Sequence, residues 1–193
     1  MRLVGALSLA AAVSACAGGD SLGTGTTFSQ ASSKDALVVM GVRMSRTYAI
    51  NYKVQWIPFN RETGDYSNDG RPVINAGLSG FRVIAEKGYS AAKYVVFRAK
   101  PGAYLLRSST ATAGRNVFTT IYRPRTLSFD VAKSEILYIG DYVFAVSVRS
   151  KSVTSVRMRY AGRSDERAKQ ALSQYSKVTG QMVYFKPLPV DTP

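Results

Sequence analysis

The chain has 193 residues, enough for one domain of ordinary size plus a processing segment. It holds no histidine and one cysteine, which excludes an intrachain disulfide and any Ser-His-Asp or Cys-His catalytic arrangement, and removes the commonest zinc ligand. Its 26 Lys and Arg against 12 Asp and Glu give a formal charge of +14, a balance that favours anionic surfaces: nucleic acid, lipid headgroups, lipopolysaccharide phosphates or acidic partners.

The N-terminus is tripartite. Arg2 supplies a positive charge, Leu3 to Val13 form an apolar stretch of 11 residues, and the small residues Ser14 and Ala15 lead into Cys16. This is the architecture of a secretory signal, too short for a membrane span. After residue 16 no apolar run approaches the roughly 18 residues a spanning helix needs. Val13-Ser14-Ala15-Cys16 resembles the lipobox of bacterial lipoproteins, in which an aliphatic and two small residues precede a modified cysteine. The resemblance implies removal of residues 1–15, a diacylglycerol on the Cys16 thiol and acylation of the new amine. No other cofactor is expected. Two or three acyl chains suffice for stable anchoring, where one does not. Ala17 in place of Asp resembles the outer-membrane sorting pattern of enteric bacteria, so the expected location is the cell envelope, at the outer membrane rather than the inner.

Residues 17–34, AGGDSLGTGTTFSQASSK, are dominated by Gly, Ser, Thr and Ala and are expected to form a flexible tether reaching about 25 Å. From residue 35 to 193 a β-rich domain is expected. In Tyr48 to Trp56 large apolar residues take every even position and Ala49, Asn51, Lys53 and Gln55 the odd ones, the alternation of a half-buried strand. Tyr142, Phe144, Val146 and Val148 repeat it opposite Ala145, Ser147 and Arg149. So do Val156, Met158 and Tyr160 opposite Ser155, Arg157 and Arg159. Further strands are predicted at 36–43, 80–86, 93–99, 103–108, 117–122, 126–131 and 135–140. Turns are expected at Glu62-Thr63-Gly64-Asp65, Asn68-Asp69-Gly70, Lys100-Pro101-Gly102, Arg123-Pro124 and Gly140-Asp141. The fold class that follows is mainly β, an antiparallel sandwich. One C-terminal helix is predicted near 164–176, with Ser164 as its cap, Asp165 and Glu166 in its first turn, and Ala168, Ala171, Leu172 and Tyr175 as a stripe packed on a sheet. Met182 to Phe185 read as a last strand.

The stretch Tyr94-Val95-Val96-Phe97 through Pro101-Gly102-Ala103-Tyr104-Leu105-Leu106 is similar to the strand, Pro-Gly turn and strand of small sandwich domains in uncharacterised bacterial lipoproteins. Leu127 to Val131, Glu135 to Asp141 and the closing helix extend the likeness over about half of the chain after Cys16. It implies a carboxypeptidase-regulatory-like or immunoglobulin-like sandwich without catalytic machinery. The family pattern has a Gly just before the Tyr-x-Gly-Asp strand, where this chain has Lys133-Ser134, and the segment 60–79 has no counterpart.

Candidate chemistry is sparse. Asp130, Glu135 and Asp141 lie close in sequence, and paired carboxylates serve glycoside hydrolysis or calcium binding, although Asp141 beside Gly140 also reads as a turn residue. Asp65 to Gly70 has oxygen ligands near a Gly but lacks the closing Glu of a calcium loop, and Gly77-Leu78-Ser79-Gly80 lacks the spacing of a nucleophile elbow. The basic residues Arg149, Lys151, Arg157, Arg159 and Arg163 outline a surface for an anionic partner. Because the interleaved aromatics occupy the apolar phase of strands and the protein is exported, nucleic acid is not the expected ligand. The expectation is therefore a non-enzymatic protein, attached to a membrane by its lipid, that binds or scaffolds an anionic envelope component or acidic protein. The alternative is a module holding a glycan or peptide in a loop-lined groove.

Overall fold

The structure, a computed structural model, describes residues 21–44, 50–81, 92–113, 116–122, 126–149 and 152–189. The strands in chain order are β1 (Phe28–Ser29), β2 (Ala36–Met44), β3 (Ile50–Pro58), β4 (Ile74–Phe81), β5 (Lys93–Ala99), β6 (Gly102–Ala113), β7 (Asn116–Ile121), β8 (Leu127–Val131), β9 (Ile136–Arg149) and β10 (Ser152–Gly162). The helix α1 (Asp165–Leu172) and the short strands β11 (Val178–Thr179), β12 (Met182–Tyr184) and β13 (Leu188–Pro189) follow.

Two sheets form. In the five-stranded one the order is β10-β9-β2-β5, with β12 also on β9; in the six-stranded one it is β13-β8-β6-β3-β4, with β7 also on β6. Most pairings are antiparallel, but β2 and β12 each run parallel to β9. The alternation seen in the sequence decides what each sheet buries. Tyr52, Val54 and Trp56 of β3, Tyr104 and Leu106 of β6 and Phe129 of β8 meet Val38, Met40 and Val42 of β2, Phe97 of β5 and Tyr142 and Phe144 of β9 in one core. The protein is thus a mainly β sandwich with a single helix among the described residues. Trp56 lies at its centre, fully buried, edge-on to Phe129 at 5.0 Å and to Tyr142 at 6.3 Å between ring centroids.

A second layer explains the unbroken apolar run of β2. Leu37 and Val39 point away from the core and pack with Val96, Ile136, Tyr138, Phe28 and Ala168 of the helix. Central strands buried on both faces lose the polar half of the alternation. The predicted helix stripe covers this face, with Leu172 and Tyr175 beside Ala168. Ser164 gives no side-chain cap; its backbone N–H instead donates to the Tyr138 hydroxyl at 2.9 Å.

The tether expected over 17–34 is corrected by the structure from Ser21 onward. Ser21 bridges Phe97, the Leu22 N–H donates to the Val96 carbonyl at 2.8 Å, and Phe28–Ser29 pair in parallel with Val178–Thr179. The composition hides two apolar residues, Leu22 and Phe28, and both insert into the outer cluster. The domain therefore begins at residue 21 or before, not at 35. The signal segment 1–15, Cys16 and 17–20 lie outside the described residues.

Other boundaries shift for local reasons. The strand expected at 80–86 is β4, placed earlier because Ile74 and Ala76 reach the core; residues 82–86 lie outside the described residues. The loop before it carries the expected turns, with Gly64 and Gly70 at φ 73° and 80°. Ser134 adopts φ 63°, and its hydroxyl donates to the Ser33 carbonyl at 2.5 Å. A side-chain hydrogen bond thus accompanies a conformation that Gly adopts without strain.

Burial pushes the hydroxyls of Tyr52, Tyr138, Tyr142 and Tyr160 above the usual tyrosine value. A group whose folded pKa is raised keeps its full contribution below the unfolded pKa, near 10, and loses it as the unfolded chain ionises above that. Urea midpoints measured from pH 7 to 11 are expected to stay level below about 10 and to fall beyond it.

Candidate functional site

The chemistry of the five-stranded sheet is organised by a bulge in β9. Gly140-Asp141, expected as a turn, instead continues one strand through an irregularity: Gly140 takes φ 89°, and the register shifts against β2 between Val39 and Gly41 and against β10 between Tyr160 and Gly162. One extra residue switches the side-chain phase. Before the bulge Leu137 and Ile139 point into the core, and after it Tyr142 and Phe144 do. A Cβ on Gly140 would lie 2.5 Å from the Tyr160 ring and 3.0 Å from the Gly162 carbonyl oxygen.

The bulge turns Asp141 outward, over Gly41 of β2. Its side chain is 1% exposed, and both oxygens are engaged: Arg43 Nη2 donates to Oδ2 at 2.8 Å and the Tyr138 hydroxyl to Oδ1 at 2.6 Å. The Ser164 N–H in turn donates to Tyr138, so the start of the helix, the tyrosine, the carboxylate and the guanidinium form one chain. Burial first, and then the Asp141 charge, raise the Tyr94 pKa beside it. A carboxylate sealed in this way ties β2, β9 and the start of the helix together.

Asp130 and Glu135 are elsewhere, so the three carboxylates do not converge. Asp130 is on the outer face of the other sheet, held by Arg61 Nε at 2.8 and 2.9 Å, and Glu135 Oε2 accepts the Ala132 N–H at 2.7 Å to close the turn between the sheets. Among the described residues no three His, Cys, Asp or Glu side chains gather as a metal site. Gly77 to Gly80 lie within β4, where the register against β3 shifts between Leu78 and Phe81, and the Gly77 backbone exchanges hydrogen bonds with the Ser21 hydroxyl at 3.0 and 3.3 Å.

Of the basic residues, Arg157 and Arg159 stand on the exposed outer face of β10, opposite Ala145 and Val143. Arg43 of β2 is opposite Val143 on its other side, so it joins them in a patch. Arg163 is drawn away by the bulge at Gly162. Its guanidinium sits over the Tyr184 ring, 4.6 Å from the centroid, with Nε 3.7 Å from Asp165 Oδ1. Arg149 ends β9, with its side chain outside the described residues, as is Lys151 altogether. β7 lies near the edge strand β10, and the Tyr122 hydroxyl accepts the Met158 N–H at 2.7 Å, so this edge N–H is engaged by a side chain of the other sheet's segment.

The segment 60–79 builds a second feature, a shallow open depression of about 350 Å³ on the far sheet, lined by Phe59, Asn60, Arg61, Glu62, Ser67, Asp69, Arg71 and Ala103. Its cations are committed. Arg61 grips Asp130, while Arg71 holds Asp69 at 2.7 Å, donates to the Ala103 carbonyl at 3.0 Å, and covers the Tyr104 ring. Tyr66, 44% exposed on the same loop, is stacked by Arg107. Arg43 was the residue missed by sequence reasoning: it follows an all-apolar run, so only its odd position, in phase with Leu37 and Val39, marked it as outward-facing. No protein-family model matches the chain, and no curated protein matches it either.

Proposed function

We propose that the protein is a lipid-anchored envelope lipoprotein, non-catalytic, that binds or scaffolds an anionic envelope component or acidic protein through the patch of Arg43, Arg157 and Arg159. The observation that carries this reading is Cys16, the chain's single thiol, placed two small residues after an 11-residue apolar stretch and five residues before Ser21, the first described residue. The outer membrane is its proposed location. The arginine patch supports the partner class: Arg157 and Arg159 are exposed on the outer face of β10 with Arg43, itself paired to Asp141, beside them, and a basic face steers anionic partners.

Cys16→Ser is expected to abolish incorporation of labelled fatty acid and to move the protein out of the membrane fraction; a variant that still sediments with membranes defeats the anchor. In the lipidated protein, Arg157→Glu with Arg159→Glu is expected to reduce partner recovery after crosslinking in cells at least several-fold while leaving the thermal midpoint within about 2 °C, since exposed substitutions cost little stability. Unchanged recovery defeats the binding role of the patch. One observation favours a second reading, a glycan or peptide held at the depression: it is concave and flanked by exposed Tyr66. That reading predicts the opposite pattern, with recovery sensitive to Tyr66→Ala and indifferent to the arginines.

A further inference from the structure

From the placement of Ser21 we infer that the end of the sandwich carrying Lys34, Arg98, Lys100 and Lys133 rests on the phospholipid headgroups of the membrane that holds Cys16; this inference rests on the lipid anchor proposed above. Only five peptide links separate Cys16 from Ser21. Fully extended they span at most about 18 Å, and as a random coil about 12 Å. Ser21 is not a loose end. It bridges β5 at Phe97 and bonds β4 at Gly77, and Leu22 continues the pairing at Val96, so the N-terminal segment pins the adjacent edges of both sheets. A domain held this way by so short a link stays at the membrane surface.

The direction of the link selects the end. Ser21 is antiparallel to β5, and the next residue pairs with Val96, so going back toward Cys16 the chain is aimed at Arg98 and Lys100. Around that end the turns gather cations. Lys34 precedes β2 and Lys133 lies in the turn before β9, both exposed, and the two turns touch through Ser134 and Ser33. Carboxylates accompany these cations: Asp35 pairs with Lys100 at 2.8 Å and lies 4.0 Å from Arg98, Glu135 caps its own turn, and at the same end of the other sheet Asp69 and Asp130 are each paired with a further arginine, Arg71 and Arg61. The surplus is positive. Basic residues are attracted to an anionic leaflet, an attraction that fades within a Debye length. The link supplies the proximity that this attraction needs.

The same orientation carries the arginine patch away from the lipid. Arg157 pairs with Ala145, nine residues along β9 from Ile136, which is roughly 30 Å at the rise of a strand. It also sits three strands across the sheet from β5, about 14 Å.

The experiment uses the full lipidated protein in vesicles. Because Cys16 is spent in the thioether, an introduced cysteine is the only thiol available for a fluorophore. Lys133→Cys and Arg157→Cys proteins are labelled and placed in phosphatidylglycerol-rich or in phosphatidylcholine vesicles containing a headgroup-borne quencher. The mass of the purified protein reports the acyl chains beforehand, so failure of the anchor is seen separately from failure of docking. The expected result is quenching at position 133 at least about threefold stronger than at 157, further increased by the anionic lipid and reduced by salt. In a Lys34→Glu, Arg98→Glu, Lys100→Glu background carrying the 133 label, the gain from anionic lipid should vanish. Equal quenching at 133 and 157, or a gain that survives the charge reversal, overturns the inference.

Discussion

Gly41→Ala is expected to lower the unfolding free energy by about 3 kcal/mol, at the upper end of what overpacking costs. The added Cβ would fall 2.0 Å from Asp141 Oδ1, 2.8 Å from its Cγ and 2.9 Å from Tyr94 Cε1. None of these can retreat cheaply. Asp141 is held by Arg43 and Tyr138, and β2 itself is paired on both sides, to β5 and to β9. The conformation at Gly41 is ordinary, so the cost is steric and has a specific cure. Asp141→Ser alone should cost about 2–3 kcal/mol, because it leaves the Tyr138 hydroxyl and Arg43 without their acceptor. Combined with Gly41→Ala it removes the atom that clashes, so the double variant should cost at least about 1 kcal/mol less than the sum of the two. Urea unfolding followed by Trp56 fluorescence measures all three, since the chain has one tryptophan. Strict additivity would show that the carboxylate does not set the need for glycine.

This contact marks where sequence reasoning ends. Period two placed β5 and β8 within one residue of their ends, and it gave the inward phase of Tyr52, Val54 and Trp56 because β3 buries one face and exposes Asn51 and Lys53 on the other. The same rule put Arg157 and Arg159 outward on β10. It failed at Gly140-Asp141, because a bulge and a turn share the same residue types and only the partners in β2 and β10 decide between them. It failed again over 21–34, where composition spoke for a tether and Leu22 and Phe28 found a sheet face that belongs to residues far along the chain. The link between Gly41 and Asp141 spans a hundred positions and leaves no local signal at either one. The convergence of Arg43 with Arg157 and Arg159 depends on the parallel pairing of β2 with β9, which alternation within a strand does not encode.

These placements give the molecule a polarity: the N-terminal link and surplus cations at one end of the strands, the arginine patch on the outer face toward the other. The two basic regions are therefore separable by mutation. Charge reversal at Lys34 and Lys133 tests the lipid surface, and charge reversal at Arg157 and Arg159 tests a partner in the surrounding space, with the buried Asp141 network common to both as the scaffold.

That separation requires an intact core, and Trp56 is where the core is most exposed to change. Trp56→Ala is expected to cost about 3–5 kcal/mol, the range for removing a large buried aromatic, and so a large share of the 5–15 kcal/mol typical of a domain. The side chain is fully buried between the two sheets, and its contacts with Phe129 and Tyr142 would be replaced by a void that strands fixed in two sheets cannot close. Trp56→Phe separates volume from polarity. The indole Nε1 is buried without a hydrogen-bond partner among the described residues, so phenylalanine removes a donor left unpaired by them while keeping one ring against Phe129. The two effects oppose each other, and the net loss should stay below about 2 kcal/mol. Circular dichroism in urea, which does not depend on the tryptophan, gives both values. A Phe variant as damaged as the Ala variant would mean that the second ring, and not the general filling of the core, holds the sheets together.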